Sequence, residues 1–504
     1  MLTSARATRV KSNREATDDK PMENNRNAHT VEKIGGTSMS RTCEVMNNVL
    51  VGSRRESERY NRMFVVSAYG GITNLLLEHK HSGDAGVYAL YCDGDTDWEW
   101  SEALTRAFEH MREINAGLFS DPHVRRSADL HIRERIEGVR SCMLDLHRLC
   151  SYGHFRMSEH LATIREMLAA LGEAHSAYNT VALLNQEGVN ARLVDLTGWR
   201  DPRALELDER IAQHLHGIDI ARELPVITGY AQCHGGIMST YDRGYSDITF
   251  SCVAAQTGAR EAIIHKEYHL SSADPKVVGE KRVQPIGRTN YDVADQLSNL
   301  GMEAIHPGAA KRLRRAGIAL RVKNTFEPGH AGTLIDEGYR SATPQVEIIA
   351  GRRDVLAIEL FDQEMVDMRH DYQRTFLELL KRFRLKSVGG DINANSLTYY
   401  VEPSLKNARR VTTALEEAFP YASANVKKVA FVSAVGSDLN VPGLLSCCSG
   451  ALAAAGINVV AISQPMRGVD MRFVVEEDDY EQTVCVLHEA VVASHIDAKL
   501  GEVA

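Results

Sequence analysis

VEKIGGTSMSR, residues 31–41, is the stretch on which the reading of the fold turns. A phosphate loop of the P-loop kind needs GxxxxGK[ST], with its lysine opening a helix, and nothing in the chain matches that order. Here Lys33 comes before Gly35 and Gly36, which places it at the end of a strand. The paired glycines let backbone N–H groups approach an anion closely, and Thr37 or Ser38 is positioned to cap the helix that follows. A lysine held in this way reaches across strand ends toward phosphate. Taken alone, a surface lysine before a glycine turn is the plainer reading.

Outward from this loop, short apolar runs alternate with longer amphipathic ones. RMFVVSA (62–68), LPVITGY (224–230), AREAIIHK (259–266) and IALRVKN (318–324) read as strands. Strands alternating with helices predict an α/β protein with a mainly parallel sheet and helices on both faces. Residues 82–171 are helical in pattern throughout and predict a helical lobe beside the sheet. Near Ser341 the texture changes. DVLAIELFD (354–362) alternates as a strand, and DYQRTFLELLKRF places Phe376, Leu379, Leu380 and Phe383 on one helical face. SLTYYVE (396–402) reads as a strand and LKNARRVTTALEEAF (405–419) as a helix. The order recurs in KVAFVSAVG, VPGLLSCCSGALAAAG, INVVAIS, MRFVVEE and DDYEQTVCVLHEAVV, which together span 428–492. Two units of about 75 residues in similar order suggest a weak internal repeat. The expected boundaries are a tail at 1–30, a first domain at 31–338, and repeats at 345–425 and 426–500.

A chain of 504 residues is too long for one ordinary domain. Its 58 basic and 67 acidic side chains leave a net charge of −9, which argues against a general nucleic-acid or anionic-membrane binder. No run of eighteen apolar residues is present, so no membrane span is expected. The nine cysteines include no CxxC and no zinc-like array, which suits a reducing cytoplasm. Cys447 and Cys448 read as buried thiols. Residues 1–14 carry Arg, Ser and Lys without an acid, as transit peptides do, yet a disordered tail through about Thr30 accounts for them more simply.

Four further segments are polar where strands should end. SAYGGITN (67–74) has paired glycines and small hydroxyl side chains, and LGEAHSA (171–177) puts Glu173 near the start of a helical stretch. YDRGYSDIT (241–249) offers Arg243, Ser246 and Asp247. Arg243 and Asp247 are four apart and could form a helical pair worth a few tenths of a kcal/mol. Gly244, with Gly235 and Gly236 just before, argues instead for a polar loop facing a zwitterionic ligand. HKEYHLSSADPK (265–276) reads as strand end, loop and Asp-Pro turn.

Together these segments resemble the aspartokinases. VEKIGGTS is similar to their KFGGTS signature with Ile34 for Phe, VVSAYGGITNLLL to VVSAMGGVTNLL, LGEAHSA to GExxSA, and DRGYSDIT to the GRGGSD loop. HLSSADPK resembles the TxDPR nucleotide loop, GMEAIHP the GAKVLHP segment, and DLNVPGLLSCCSGAL a second ACT module. The kinase blocks stand in family order between residues 31 and 335. HKEYHLSSADPKVVGE, GRTNYDVADQLSNLGMEAIHP and KNTFEP look like the branch found beside ectoine-synthesis genes.

The resemblance implies an amino-acid-kinase fold followed by two ferredoxin-like ACT domains, and the reaction ATP + L-aspartate → 4-phospho-L-aspartate + ADP with Mg²⁺. It implies that Lys33 neutralises the transferring phosphoryl group, with Gly35, Gly36, Thr37 and Ser38 beside it. One positive charge at about 4 Å contributes roughly 4 kcal/mol at an effective dielectric near 20. Arg243 would hold the α-carboxylate of aspartate and Glu173 its ammonium. Ser67, Thr73 and Ser246 would bind the remainder, and Asp247 would orient Lys33 or the substrate amine. The nucleotide positions fall on Lys266, Glu267 and the run from Ser271 through Asp274 to Lys276. ACT modules imply an amino-acid effector and a homo-oligomer.

Departures from the family pattern qualify this. Asp242 and Tyr245 replace glycines, and Tyr245 narrows the substrate loop. Lys266-Glu267 replaces Thr-Asp, and Glu303 stands where many relatives carry a phosphate-contacting lysine, with Lys266, Lys276 or Lys323 as substitutes. His370 stands where a glycine opens the first ACT helix, which argues against lysine or threonine inhibition and leaves open modules that only dimerise. Two other functions compete. One is a kinase of another carboxylate or carbamate, of which the Arg243/Glu173 pair, suited to an α-amino acid, speaks against carbamate. A silent ACT-domain sensor has no use for Lys33.

Overall fold

The computed structural model describes residues 29–493 apart from 53, 80, 81, 94–96 and 303, so Glu303 and the expected tail through residue 28 lie outside the described residues. His29 and Thr30 do not belong to that tail. The His29 ring is hydrogen-bonded to Thr257 at 2.9 Å, and Thr30 opens the first strand.

The first sheet contains β1 (Thr30–Ile34), β2 (Arg62–Val66), β3 (Ala191–Val194), β4 (Leu224–Thr228), β5 (Glu261–Lys266), β6 (Arg288–Asn290), β7 (Ala319–Asn324) and β8 (Thr333–Asp336). Its order is β3-β4-β2-β1-β5-β7-β8-β6. Every pairing is parallel except β7 with β8. β1 runs between β2 and β5, covered on both faces, and all of it is buried except Lys33. Both short apolar runs at this centre are strands because only extended chain buries side chains on two faces at once. The helices Val87–Asp93, Asp97–Leu118, Pro122–Ser151 and Leu161–Gln186 form a lobe at one side. The last continues well beyond residue 171, so Glu173 sits mid-helix rather than near a helix start. Gly172 does not break it. A Cβ there would meet the Cβ of Ala68 at 2.6 Å, so the glycine lets the helix close on the loop after β2. Among the described residues no helix is long and apolar enough to cross a membrane.

The second sheet is antiparallel, with β9 (Ile348–Phe361), β10 (Ser387–Ile392), β11 (Ser396–Val401), β12 (Ser423–Val435), β13 (Val459–Ser463) and β14 (Asp470–Glu476) in the order β10-β11-β9-β12-β14-β13. The two repeats do not part serially at residue 426. β9 and β12 run through both, so Val355–Phe361 pairs with one half of β12 and Ile348–Arg352 with the other. The opening half of β9 thereby completes the sheet of the second repeat. Met365–Arg382 and Leu405–Ala418 cover one half of this sheet through a core that includes Phe376 and Leu415. Leu444–Ala454 and Tyr480–His488 cover the other through Phe473 and Leu487. The first of these helices is kinked at Met368 (φ −118°, ψ 19°), two residues before the exposed His370. Cys448 is buried but Cys447 is exposed, because successive helical side chains diverge by about 100°.

The cores of the two sheets are not separate. Ala273 and Val278, from the segment after β5, belong to the same buried cluster as Leu444, Phe473 and Leu487.

Candidate active site

The strand pleat sends Glu32 and Lys33 to opposite faces of β1. Glu32 is buried against Arg62 (2.7 and 3.0 Å) and His265 (2.7 Å). Burial pushes its carboxyl up, but these two partners outweigh that and hold it well below the usual range. Lys33 emerges on the other face, where its ammonium is paired with Asp247. Both side chains keep some access to solvent, at 14% and 15%. The second oxygen of Asp247 accepts the His306 backbone N–H at 2.9 Å. Burial raises the Asp247 carboxyl, while Lys33, Lys266 and the His306 N–H together leave it below its ordinary value. A lysine at the C-terminal end of a central parallel strand stands where such sheets bind ligands.

The turn after Lys33 is tighter than expected. A Cβ on Gly36 would lie 2.6 Å from the Ala68 carbonyl oxygen, so only glycine lets this turn abut the loop after β2. The helix already starts at Gly36, which puts Thr37 and Ser38 inside it, and no side chain caps it. Thr37 is exposed. Ser38 is buried and donates to Glu267 (3.0 Å) while accepting from Thr325 (3.1 Å), tying the first turn to the ends of β5 and β7.

Residues 242–247 are helical rather than a loop. A 3-10 turn, Asp242–Gly244, runs into the helix Tyr245–Thr257. Gly244 has ordinary dihedrals (φ −82°, ψ 5°), and its lack of a side chain serves packing, since a Cβ would meet the His306 ring at 2.3 Å. This helix start sets Ser246 toward Glu173 and Asp247 toward Lys33. Glu173 is 2% exposed, and its Oε1 accepts from the Ser246 hydroxyl at 3.3 Å. Oε2 is buried without a hydrogen-bond partner. Burial pushes Glu173 up to about 7 against the donors Tyr245, the Ala68 N–H and Ser246. Among the described residues no cation pairs with it. Arg243 is engaged elsewhere. It donates to Asn74 Oδ1 (2.6 Å), to the Glu78 carbonyl and to the Glu78 carboxylate (3.2 Å). Ser67 donates its backbone N–H to Ile34 at 3.2 Å.

A cleft of about 450 Å³ opens at the end of β5, lined by Lys266, Tyr268, His269, Asp274, Lys276 and Met302 among others. Asp274 accepts the Lys276 N–H (2.9 Å) and caps the turn Pro275–Val278. Ser271 is not on the cleft wall. It is buried, with its hydroxyl on the His269 carbonyl at 3.2 Å. Of the lysines offered as substitutes for the one at position 303, Lys266 and Lys276 line the cleft, whereas Lys323 is not on its wall. His306, which supports Asp247, and Thr325, which supports Ser38, had no sequence signal beyond their place in ordered blocks.

A lysine–acid pair on a central strand tip, between an uncompensated buried carboxylate and a nucleotide-sized cleft, is the arrangement of a small-molecule phosphotransferase. The amino acid kinase family profile matches residues 29–324, and an ACT domain profile matches residues 432–491. The chain is 55% identical to aspartate kinase Ask_Ect of Stutzerimonas stutzeri over 92% of its own length and 97% of that protein. Chloroplastic aspartokinase 1 of Arabidopsis thaliana is 25% identical over 92% of the chain and 80% of its own length. The crystal structure of E. coli aspartokinase III with aspartate and ADP (R-state) shares the fold, with a TM-score of 0.68 at 20% identity, over 92% of this chain and 99% of that one. The chain belongs to the amino acid kinase family and, within it, to the aspartate kinases.

Proposed function

We propose that this enzyme transfers the γ-phosphoryl group of ATP to the side-chain carboxylate of L-aspartate, giving 4-phospho-L-aspartate and ADP. The observation that carries the reading is Glu173, a buried carboxylate with an orphaned oxygen and, among the described residues, no cation, joined through Ser246-Asp247 to Lys33. A substrate ammonium is the missing partner that this arrangement needs.

On this reading the aspartate ammonium docks on Glu173 and Ser246. Arg243 exchanges its side-chain contacts with Asn74 and Glu78 for the α-carboxylate, and Ser67 and Thr73 hydrogen-bond the remainder. The side-chain carboxylate, aligned by these contacts, attacks the γ-phosphorus as ADP departs. Catalysis is then mainly alignment and charge compensation. Lys33 turns from Asp247 toward the transferring group, and the backbone at Gly35, Gly36, Thr37 and Ser38 lies alongside. Lys266 and Lys276 face the nucleotide phosphates, and Asp274 fixes the turn that carries Lys276. Glu267 holds Ser38, and Ser271 shapes the loop from beneath. Among the described residues no group of three His, Cys, Asp or Glu side chains is placed to hold a metal. A Mg²⁺ ion would then be held chiefly by the nucleotide phosphates, where it would supply charge neutralisation.

The ACT sheet is proposed to form a homo-oligomer, and its edge strand β13 exposes Val460 and Ile462. Nine unpaired cysteines suit a reducing cytoplasm. The product would feed aspartate-family amino acids or ectoine. Trapping the acyl phosphate with hydroxylamine tests the reaction. The expected outcome is hydroxamate formed in step with ADP only when L-aspartate is present; ADP release indifferent to aspartate would overturn it.

A further inference from the structure

We propose that Glu78 sets the affinity of the site for aspartate: its carboxylate holds the place on Arg243 that the substrate α-carboxylate must take, and Arg165 keeps it when the substrate displaces it. The inference rests on the reading of Arg243 given above.

Glu78 follows the short helix Ile72–Leu76, which carries Thr73 and Asn74. Its backbone is pinned by an antiparallel bridge to Ala85, so a change of partner falls to the side chain. Three acceptors hold the Arg243 guanidinium: Asn74 Oδ1 (2.6 Å), the Glu78 carbonyl, and Glu78 Oε1 (3.2 Å). The first two are neutral, and the third is the ion-pair partner of Arg243. The same Oε1 accepts from Arg165 at 2.9 Å. One oxygen thus serves two guanidinium groups, and the contact with Arg243 is the longer. Arg165 lies on the helix Leu161–Gln186, about two turns before Glu173, and its guanidinium rests over the Tyr88 ring at 5.5 Å.

The chemistry of the guanidinium makes this an exchange. Its planar fork presents paired N–H groups to one carboxylate at a time, and two carboxylates in contact repel each other. An α-carboxylate arriving at Arg243 therefore gains only the difference between its own bond and the one it replaces. Asn74 and the Glu78 carbonyl carry no charge to be displaced. The Glu78 carboxylate is not left unpaired by the exchange, because Arg165 already holds its Oε1. Without Arg165, Glu78 would bind Arg243 more firmly and would be harder to move. Glu78 thus weakens aspartate binding, and Arg165 limits the loss. A Glu78 that merely steadied Arg243 for the substrate would act with the opposite sign.

The test is steady-state aspartate kinetics of the full chain at saturating ATP, for wild type, E78Q, R165Q, the double variant E78Q/R165Q, and R243Q. Glutamine keeps the length of the side chain and one acceptor but removes the charge. In E78Q the aspartate KM is expected to fall about fivefold, the difference between a charged and a neutral acceptor, with kcat and the ATP KM little changed. R165Q should raise the aspartate KM several-fold, and that rise should vanish in the double variant, whose KM should match that of E78Q. A steadying role would raise the KM in E78Q, and a general effect of charge would leave the two substitutions additive. Either result, or an E78Q KM equal to wild type, would overturn the proposal. R243Q should raise the aspartate KM steeply; if it leaves that KM unchanged, it is the assignment of Arg243 to the α-carboxylate that fails.

Discussion

Burial raises the Glu173 carboxyl to about 7, from 4.5 in an exposed glutamate. The folded chain therefore holds this proton more tightly than the unfolded chain does. Stability from this group is fully present below pH 4.5 and is lost as pH rises through about 7, by about 3 kcal/mol in all. An uncharged amide escapes that loss. Glu173→Gln is expected to raise the Tm at pH 8, leave it nearly unchanged at pH 5, and abolish tight aspartate binding; thermal melts at the two pH values check this, and an equal fall in Tm at both would contradict it. At this scale the sequence was informative where motif and chemistry coincide, as at Lys33, Asp247, Ser246 and Glu173. It singled out Arg243 as a ligand-facing group but gave no sign of its partners Asn74 and Glu78, which lie 169 and 165 residues away. It misread Thr37 and Ser38, because either hydroxyl caps the helix only if it begins at least two residues later than it does.

Apolar runs made β2, β4 and β5 readable, since each is buried or nearly so along its length, and β7 shows as an alternation of buried and half-buried residues. β3, β6 and β8 have only 4, 3 and 4 residues, too short for a period to emerge. β10, with SVGGDI, has glycines where a strand pattern needs side chains, and it survives as an edge. The segment after β5 carries the larger lesson. Its polar face lines the cleft at the end of β5, while Ala273 and Val278 enter the core of the second repeat. The Ser272 carbonyl accepts the Ile349 N–H (2.8 Å), and its hydroxyl is hydrogen-bonded to His488 (2.9 Å). Nothing in HLSSADPK announces this, because the partners come from distant strands and helices. Leu487→Ala removes a fully buried side chain from that shared core, at a cost of about 2–5 kcal/mol. The ATP KM is expected to rise several-fold with the aspartate KM little changed, in steady-state assays below the melting temperature; equal changes in both would argue that the core does not reach the nucleotide segment selectively.

Across the whole molecule, two sheets are joined by strands and cores that a linear reading divides. The repeat is visible because its apolar pattern recurs, yet each of β9 and β12 is one strand that runs through both units. Pattern alone could not say that Ile348–Arg352 completes the second unit. The kinase sheet, by contrast, follows from its parallel order, and the site at its strand ends gathers residues from nearly the full length of the first 325 positions. The account stands on the ammonium of Lys33 serving the phosphoryl transfer of the intact chain. Hydroxamate formation from ATP and L-aspartate by Lys33→Ala measures this most directly. The predicted result is a fall in kcat of at least about a hundredfold, the scale of one lost transition-state donor, with nucleotide binding retained. Turnover equal to wild type would contradict it.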